Sequence, residues 1–255
     1  MDKKYHEKLR QILLTWLSLF VFILCWELVV AFAGIDRLIL PSLSGVVQSF
    51  LQNHEELFAN LVVTMFESVS SFLIGSVLGF LFSILFVYSD DIKNSLLPYA
   101  IALKATPLVA VAPLIILWFG NDVYSKIVMG AMVAFFPVLI SSLEGLTNIE
   151  KEQLNLMKSY SATKIQVLFK LRIPNSIPFI FSSLKIASTL AVVGVMIGEF
   201  TGSDNGLGHV IISSSYYLDT PLMFAAIIMA SLWGILFYSL VSLSEKTLNH
   251  LAFGM

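Results

Sequence analysis

Charge is scarce in this chain. Asp, Glu, Lys and Arg make up 13% of its 255 residues, where a soluble domain carries about 25%. With 57% hydrophobic residues besides, an ordinary water-solvated fold is excluded, because apolar runs that go all the way round a helix need lipid as solvent. The net charge of −2 gives no basis for nucleic-acid binding. Cysteine is almost missing: Cys25 alone forms no internal disulfide and reads as a small apolar filler. His6, His54, His209 and His250 are scattered, with no HExxH pair and no Cys/His cluster for zinc. No glycine opens a GxxxxGK[ST] phosphate loop, and no G-x-S-x-G elbow occurs. ATP binding by that loop, zinc chemistry and serine hydrolysis all lose their signatures.

What is present is a series of long apolar runs, at residues 12–33, 57–87, 96–119, 125–146, 177–200 and 222–243. The first holds about 22 residues, or about 33 Å of helix, enough to cross a bilayer. It exceeds the about 7–15 residues of a cleavable leader's apolar region, so it reads as a retained span. Six spans make an all-α polytopic membrane protein. The chain reads as one transmembrane domain, 1–255, with no linker between soluble parts.

Basic residues set the orientation. With the N-terminus in the cytoplasm, the inner segments hold Lys3, Lys4, Lys8, Arg10, Lys93, Lys151, Lys158, Lys164, Lys170, Arg172 and Lys246. The outer segments hold only Arg37 and Lys126, while Lys104 and Lys185 lie within spans. Both termini then face the cytoplasm. Residues 34–60 and 201–221 face outward, the first expected to carry a short surface helix. The second is expected to be turn-rich, from Gly202, Ser203, Asp204, Asn205, Gly206 and Gly208.

Residues 148–178 are a polar, basic island in this apolar sequence. Read as helix, Leu154, Met157 and Ser161 share a face, as do Ile165, Leu168 and Phe169. The small residues Ser161, Ala162 and Thr163 suit a turn or a close crossing, and Pro174 and Pro178 end the segment. Two readings stand level on the residues alone: a helix that plugs into a partner's groove, or a loop whose charges only enforce topology.

In the third span, Pro107 and Pro113 are expected to break the backbone ladder twice. Irregular backbone at membrane depth lines a cavity or is buried in protein. With Lys104 and Thr106 beside them, these residues are candidates for a pathway or gate, against the plainer reading of ordinary proline kinks. Lys185 and Glu67 carry charge inside spans and must face protein, water or each other. Glu199 sits near the outer surface, where it touches substrate or the pathway mouth, or caps the helix end in water. Gly194, Gly198 and Gly202, and likewise Gly75 and Gly79, recur every four residues and offer smooth faces for close packing.

Several of these stretches resemble one family. Pro107 to Gly120 (PLVAVAPLIILWFG), Phe136-Pro137, and Glu199 followed by Gly206-Leu207-Gly208 are similar to the permease subunit of binding-protein-dependent ABC importers. The closest branch carries nitrate, taurine, alkanesulfonates and related small molecules. The similarity runs from Leu40-Pro41-Ser42 to the last span. The island resembles the family's cytoplasmic loop, EAA, three residues, Gly, nine residues, I-x-L-P. Aligned on Pro174, the EAA positions fall on Asn155-Leu156-Met157, the glycine on Ser161, and the last element on Leu171-Arg172-Ile173-Pro174. The length is kept while the initial Glu and the Gly are lost.

The resemblance implies a type I importer permease fold in a bacterial inner membrane, with a cytoplasmic coupling loop at about 148–176. It implies a second permease copy, a cytoplasmic ATPase dimer, an extracytoplasmic substrate-binding protein and surrounding lipid as partners. Tyr160, Ser161, Ala162, Thr163, Lys164, Ile165 and Gln166 become the ATPase-coupling residues. Lys104, Thr106, Pro107, Pro113, Lys185 and Glu199 become the pathway or gate residues. No cofactor or metal is expected on this chain, since ATP and Mg belong to the ATPase, and the chain is no enzyme itself. The alternative is a secondary transporter driven by an ion gradient, which would favour paired broken helices in both halves. An intramembrane enzyme is a third reading, for which no catalytic pair is visible.

Overall fold

Long helices follow from long apolar runs, because a backbone in lipid must satisfy its own donors and acceptors. The computed structural model describes residues 2–32, 34, 36 and 38–253, with side chains for residues 10–247 of that set other than 12 and 19. Lys3, Lys4, Lys8 and Arg37 of the charge asymmetry, and His6 and His250, lie outside the described side chains. Among the described residues there are α-helices, one π-helical turn and no strand. In order they are α1 (Asp2–Phe32), α2 (Leu43–Gln52), α3 (His54–Tyr88), α4 (Asp90–Ala105), α5 (Leu108–Phe119) and α6 (Val123–Thr147). Then come α7 (Lys151–Ser159), α8 (Lys164–Val167), the π turn (Leu168–Arg172), α9 (Ile173–Gly202), α10 (Leu207–Tyr216) and α11 (Thr220–Phe253).

Five stretches are long and apolar enough to cross a membrane: α1, α3, α6, α8 through α9, and α11. A sixth span exists only as α4 and α5 together, bent by 103° at their junction. The six expected spans are therefore present, with one correction. The third span breaks once, at Thr106-Pro107, and not twice. Pro107 forces Thr106 into extended backbone, φ −75° and ψ 126°. Pro113 lies well inside α5 and removes only its own N–H from the ladder, so the helix continues through it. The outer segment 201–221 also departs from expectation. It contains the 10-residue helix α10, so only the residues just before Leu207 and just after Tyr216 are non-helical there.

By contact the chain groups into two compact units. The first comprises Met1–Phe58 and Val210–Ile228. Here Glu27 on α1 caps α2: its carboxylate accepts from the Leu43 N–H and the Ser44 hydroxyl, both at 2.9 Å. The Trp26 indole donates to the Pro41 carbonyl at 3.0 Å and stands edge-on to Phe22 and Phe224. The expected short helix after Pro41 is α2, begun by Ser42, whose hydroxyl accepts from Gly45 N–H.

The second unit comprises Ala59–His209 and Met229–Met255. Its centre is α6, packed against α9 and α3 where glycines allow backbones to touch. A Cβ on Gly194 would stand 2.7 Å from Gly130 Cα, and one on Gly75 would stand 2.5 Å from the Ala131 carbonyl oxygen. Gly79 meets the Phe135 carbonyl in the same way. The spacing of four in the sequence is thus a packing face. Ala134, Val138, Ala187 and Ala191 fill that contact, and Val192, Trp233, Phe237 and Val241 bring in α11. The Trp233 indole donates to Ser68 Oγ on α3 at 2.9 Å, so its buried polar atom is satisfied.

Candidate functional site

The basic island folds into a corner with both of its arms capped. At the end of α7, Ser161 N–H donates to the Lys158 carbonyl at 2.9 Å and Ala162 N–H donates to the Met157 carbonyl at 3.0 Å. That paired pattern is a Schellman ending, which requires a left-handed residue just past the helix. Ser161 supplies it, with φ 53°. Two residues later a capping box starts α8: Thr163 Oγ1 accepts from Gln166 N–H at 3.3 Å, and Gln166 Oε1 accepts from Thr163 N–H at 2.8 Å. The coupling residues expected from Tyr160 to Gln166 are thus a turn followed by the start of a helix.

This corner has an inside and an outside. Ala162, Val167 and Leu168 turn inward, lining with Val87, Tyr88 and Leu154 a cavity of about 250 Å³. Tyr160, Ile165 and Phe169 turn outward, 77%, 62% and 63% exposed. Lys151, Lys158, Lys164 and Lys170 are exposed around them. Leu168, which spacing groups on one face with Ile165 and Phe169, is buried on the cavity side instead.

Beyond the π turn the corner is tied to α6. An Arg172 guanidinium N–H donates to the Leu146 carbonyl. The Asn175 amide donates to the carbonyls of Gly145 at 3.3 Å and Asn148 at 2.7 Å. These carbonyls belong to the open C-terminal end of α6, where no intrahelical donor reaches. The corner is therefore joined to α6 by side-chain hydrogen bonds and continues directly into α9.

The broken span makes a second feature. Lys104, Thr106 and Pro107, at the junction of α4 and α5, line a cavity of about 640 Å³. Its other walls come from α6 and α9, including Met132, Phe136, Ile186 and Leu190. Residues 103–107 are exposed, so this chain leaves the cavity open on that side. The six pathway residues expected from sequence are divided by the structure. Lys104, Thr106 and Pro107 come together here. Pro113 is exposed further along α5 and does not line the cavity. Lys185 pairs at 2.9 Å with Glu245 on α11, a partner that sequence reading left open.

Glu199 stands at the other end of α9, buried rather than in water. Its carboxylate accepts from Thr64 Oγ1 at 2.7 Å and from Gly208 N–H at 2.6 Å. Leu207 N–H donates to Thr64 Oγ1 at 2.9 Å, and Gly206 N–H donates to Asn60 Oδ1 at 2.7 Å. Together they satisfy the free amides that begin α10, and a carboxylate also suits the positive end of the helix. A Cβ on Gly206 would collide with the Glu199 carboxyl, and one on Gly208 would lie 2.6 Å from Glu199 Cβ. Glu67 and Lys126 are buried beside this group. Lys126, counted by sequence with the outer loop, is inside α6, its ammonium folded back onto the carbonyl and side chain of Asn121. Sequence reading missed Asn60 and Thr64 as partners, because single polar residues in an apolar run carry no pattern.

Comparison with known proteins gives three results of one kind. The family model described as "binding-protein-dependent transport system inner membrane component" matches residues 71–250. A probable ABC transporter permease protein of Haemophilus influenzae is 34% identical over 82% of this chain and 85% of its own length. A formylaminopyrimidine transport permease protein of Halalkalibacterium halodurans is 30% identical over 88% of this chain and 89% of its own. Among solved structures, that of an amino acid ABC transporter with histidines superposes with a TM-score of 0.64 at 21% identity, over 78% of this chain and 97% of its own, which is a likeness of fold. None of these supports a carrier driven by an ion gradient.

Proposed function

Because the chain belongs to the family of binding-protein-dependent transport system inner membrane components and is a multi-pass permease subunit of an ABC importer, we propose that its corner at Tyr160–Gln166 is the part that an ATPase grips. The observation that carries this reading is the corner itself. Its two caps hold the backbone in one shape, while Tyr160, Ile165 and Phe169 stand exposed among lysines on a segment too polar to lie in lipid. Apolar knobs ringed by charge suit a groove in a soluble protein.

On this reading the partner ATPase binds ATP and Mg and performs the hydrolysis, and this chain binds neither. Closure of the ATPase pair pushes the corner. The push reaches α6 through Arg172 and Asn175, and the helices alternate between two arrangements that open to opposite sides. The cavity at Lys104, Thr106 and Pro107 is the pathway. Its open side supports a second copy of this permease as the facing wall. An external binding protein delivers a small solute to the outer face, and both termini lie in the cytoplasm.

The test is to replace Ser161, Ala162 and Thr163 together by Arg, Glu and Arg, and to purify the tagged chain from its native membrane in mild detergent. The expected result is loss of the co-purifying ATPase from a permease that stays monodisperse. An ATPase recovered in unchanged amount sinks the assignment of the corner.

A further inference from the structure

We propose that the cavity inside the Tyr160–Gln166 corner is a site for the headgroup of an acidic phospholipid, with Lys158, Lys164 and Arg172 on its phosphate. The inference rests on the reading that places the island in the cytoplasm. It adds an occupant on the side of the corner that faces away from the proposed ATPase grip.

Charge comes first. Lys158, Lys164 and Arg172 all line this cavity, and no Asp or Glu does. They come from three elements, the end of α7, the start of α8 and the end of the π turn. The fold, not a run of sequence, collects them. Among the described residues no carboxylate pairs with any of the three. Arg172 gives one guanidinium N–H to the Leu146 carbonyl, which leaves the rest of its five-donor fork. Asp90 and Asp91 follow Tyr88 closely, in the first turn of α4, yet neither lines the cavity. Three like charges around one space repel each other, and an anion between them turns that cost into attraction. A guanidinium fork with ammonium groups beside it suits phosphate.

Size and wall chemistry come second. About 250 Å³ is less than the roughly 300–1,000 Å³ of sites that enclose a whole small molecule. It suits the head of something whose remainder lies elsewhere. Val87, Leu154, Val167 and Leu168 give the cavity an apolar flank. An inorganic anion gains nothing from such a flank, whereas the glycerol and first methylenes of a lipid do.

Position comes third. Val87 and Tyr88 close α3, one of the helices long and apolar enough to cross a membrane. The cavity therefore lies at the end of a span, and basic pockets on the cytoplasmic side hold acidic lipid heads. Occupied, the site adds a tie. Arg172 and Asn175 hold the corner to α6, while its approach to α3 is across this open space. A phosphate among the three cations, with its chain along Val87, joins the two.

The permease is purified with its ATPase in a neutral detergent. In a Cys25→Ser background, Leu154→Cys puts a thiol on the cavity wall, and its rate of maleimide labelling is followed. The probes are dioctanoyl phosphatidylglycerol, dioctanoyl phosphatidylcholine and inorganic phosphate. Phosphatidylglycerol is expected to slow labelling at concentrations where the other two do not. In Lys158→Gln/Lys164→Gln its half-protecting concentration rises by about tenfold or more. Lys151→Gln/Lys170→Gln removes equal charge from the same island outside the cavity, and there the value stays close to the parent's. Native mass spectrometry of the complex with Leu154 and Cys25 intact counts the phosphatidylglycerol retained by the same two double variants and should show the same contrast. Equal loss in both double variants overturns the site in favour of a general attraction of the island to acidic membrane. Equal protection by phosphatidylcholine, or protection by phosphate alone, overturns the acidic lipid as occupant. A thiol already shielded before lipid is added does so too, since the ATPase then covers the cavity. Recovery of the ATPase is scored on the same samples. ATPase present without selective protection sinks the lipid site alone. A permease that recovers no ATPase sinks the transporter assembly, and selective protection in it still supports the lipid site.

Discussion

Ser161 shows how much one residue can hold. Its left-handed backbone, φ 53°, costs an ordinary L-residue about 1–2 kcal/mol, a cost glycine escapes. Ser161→Gly should therefore firm the corner by about 1 kcal/mol, read as slower hydrogen exchange at the amides of residues 160–163. Ser161→Val should loosen it by more than that, because a β-branched side chain adds its own clash there. Glu199 gives a second case at this scale. Glu199→Ala strips the acceptor from a buried amide and a buried hydroxyl, which costs about 1–3 kcal/mol for each donor left alone. The expected result is a lower melting temperature in detergent and faster exchange at Leu207 and Gly208. Glu199→Gln keeps the shape and one carbonyl oxygen, so its loss should be smaller.

Helices carry the next lesson. The existence and order of the long helices were legible, because a run of apolar residues about 20 long has few other solutions, whereas α10 was not. The packing faces were legible too, since Gly75, Gly79, Gly194 and Gly198 repeat at helical spacing and each meets a neighbouring helix. What escaped were features set by one residue against a distant one. The Glu27 cap on α2, the Lys185–Glu245 pair and the Asn60–Thr64–Glu199 group join residues 16 or more apart, and no local pattern announces them. The proline reading failed halfway for a related reason. Pro107 and Pro113 are chemically alike, but only the first stands where the chain turns by 103°. Pro107→Ala returns an N–H and frees Thr106 to be helical. Spin labels at 95 and 117 should then report a longer distance as the two helices move toward a straighter rod. Gly194→Ala sets a methyl against the Gly130 backbone and should cost about 1–3 kcal/mol by overpacking, seen as a fall in the fraction recovered monodisperse.

At the scale of the molecule, the basic residues make the plainest prediction. By sequence, eleven basic residues on one side of the membrane stand against Arg37 and Lys126 on the other, an asymmetry that predicts both termini and the island in the cytoplasm. Protease cleavage of tags at either end should occur in inside-out vesicles and fail in right-side-out ones. The reverse result would put the corner on the wrong side for any ATPase. The same asymmetry leaves the outer stretch 201–221 with no Lys or Arg. The first residues of α10, Leu207 and Gly208, are held instead by the buried group around Glu199, without any surface charge.

The π turn at Leu168–Arg172 makes the corner a matter of arithmetic as much as of chemistry. Its bond from Ile173 N–H to the Leu168 carbonyl spans five residues instead of four, so the chain carries one residue in surplus there. Deleting any single residue from 168 to 172 lets the segment relax to plain α-helix. Everything before it, including Ile165 and the capped corner, then swings round the axis by about 100° and points its knobs elsewhere. The count of residues matches the pattern this loop resembles, although its Glu and its Gly are lost.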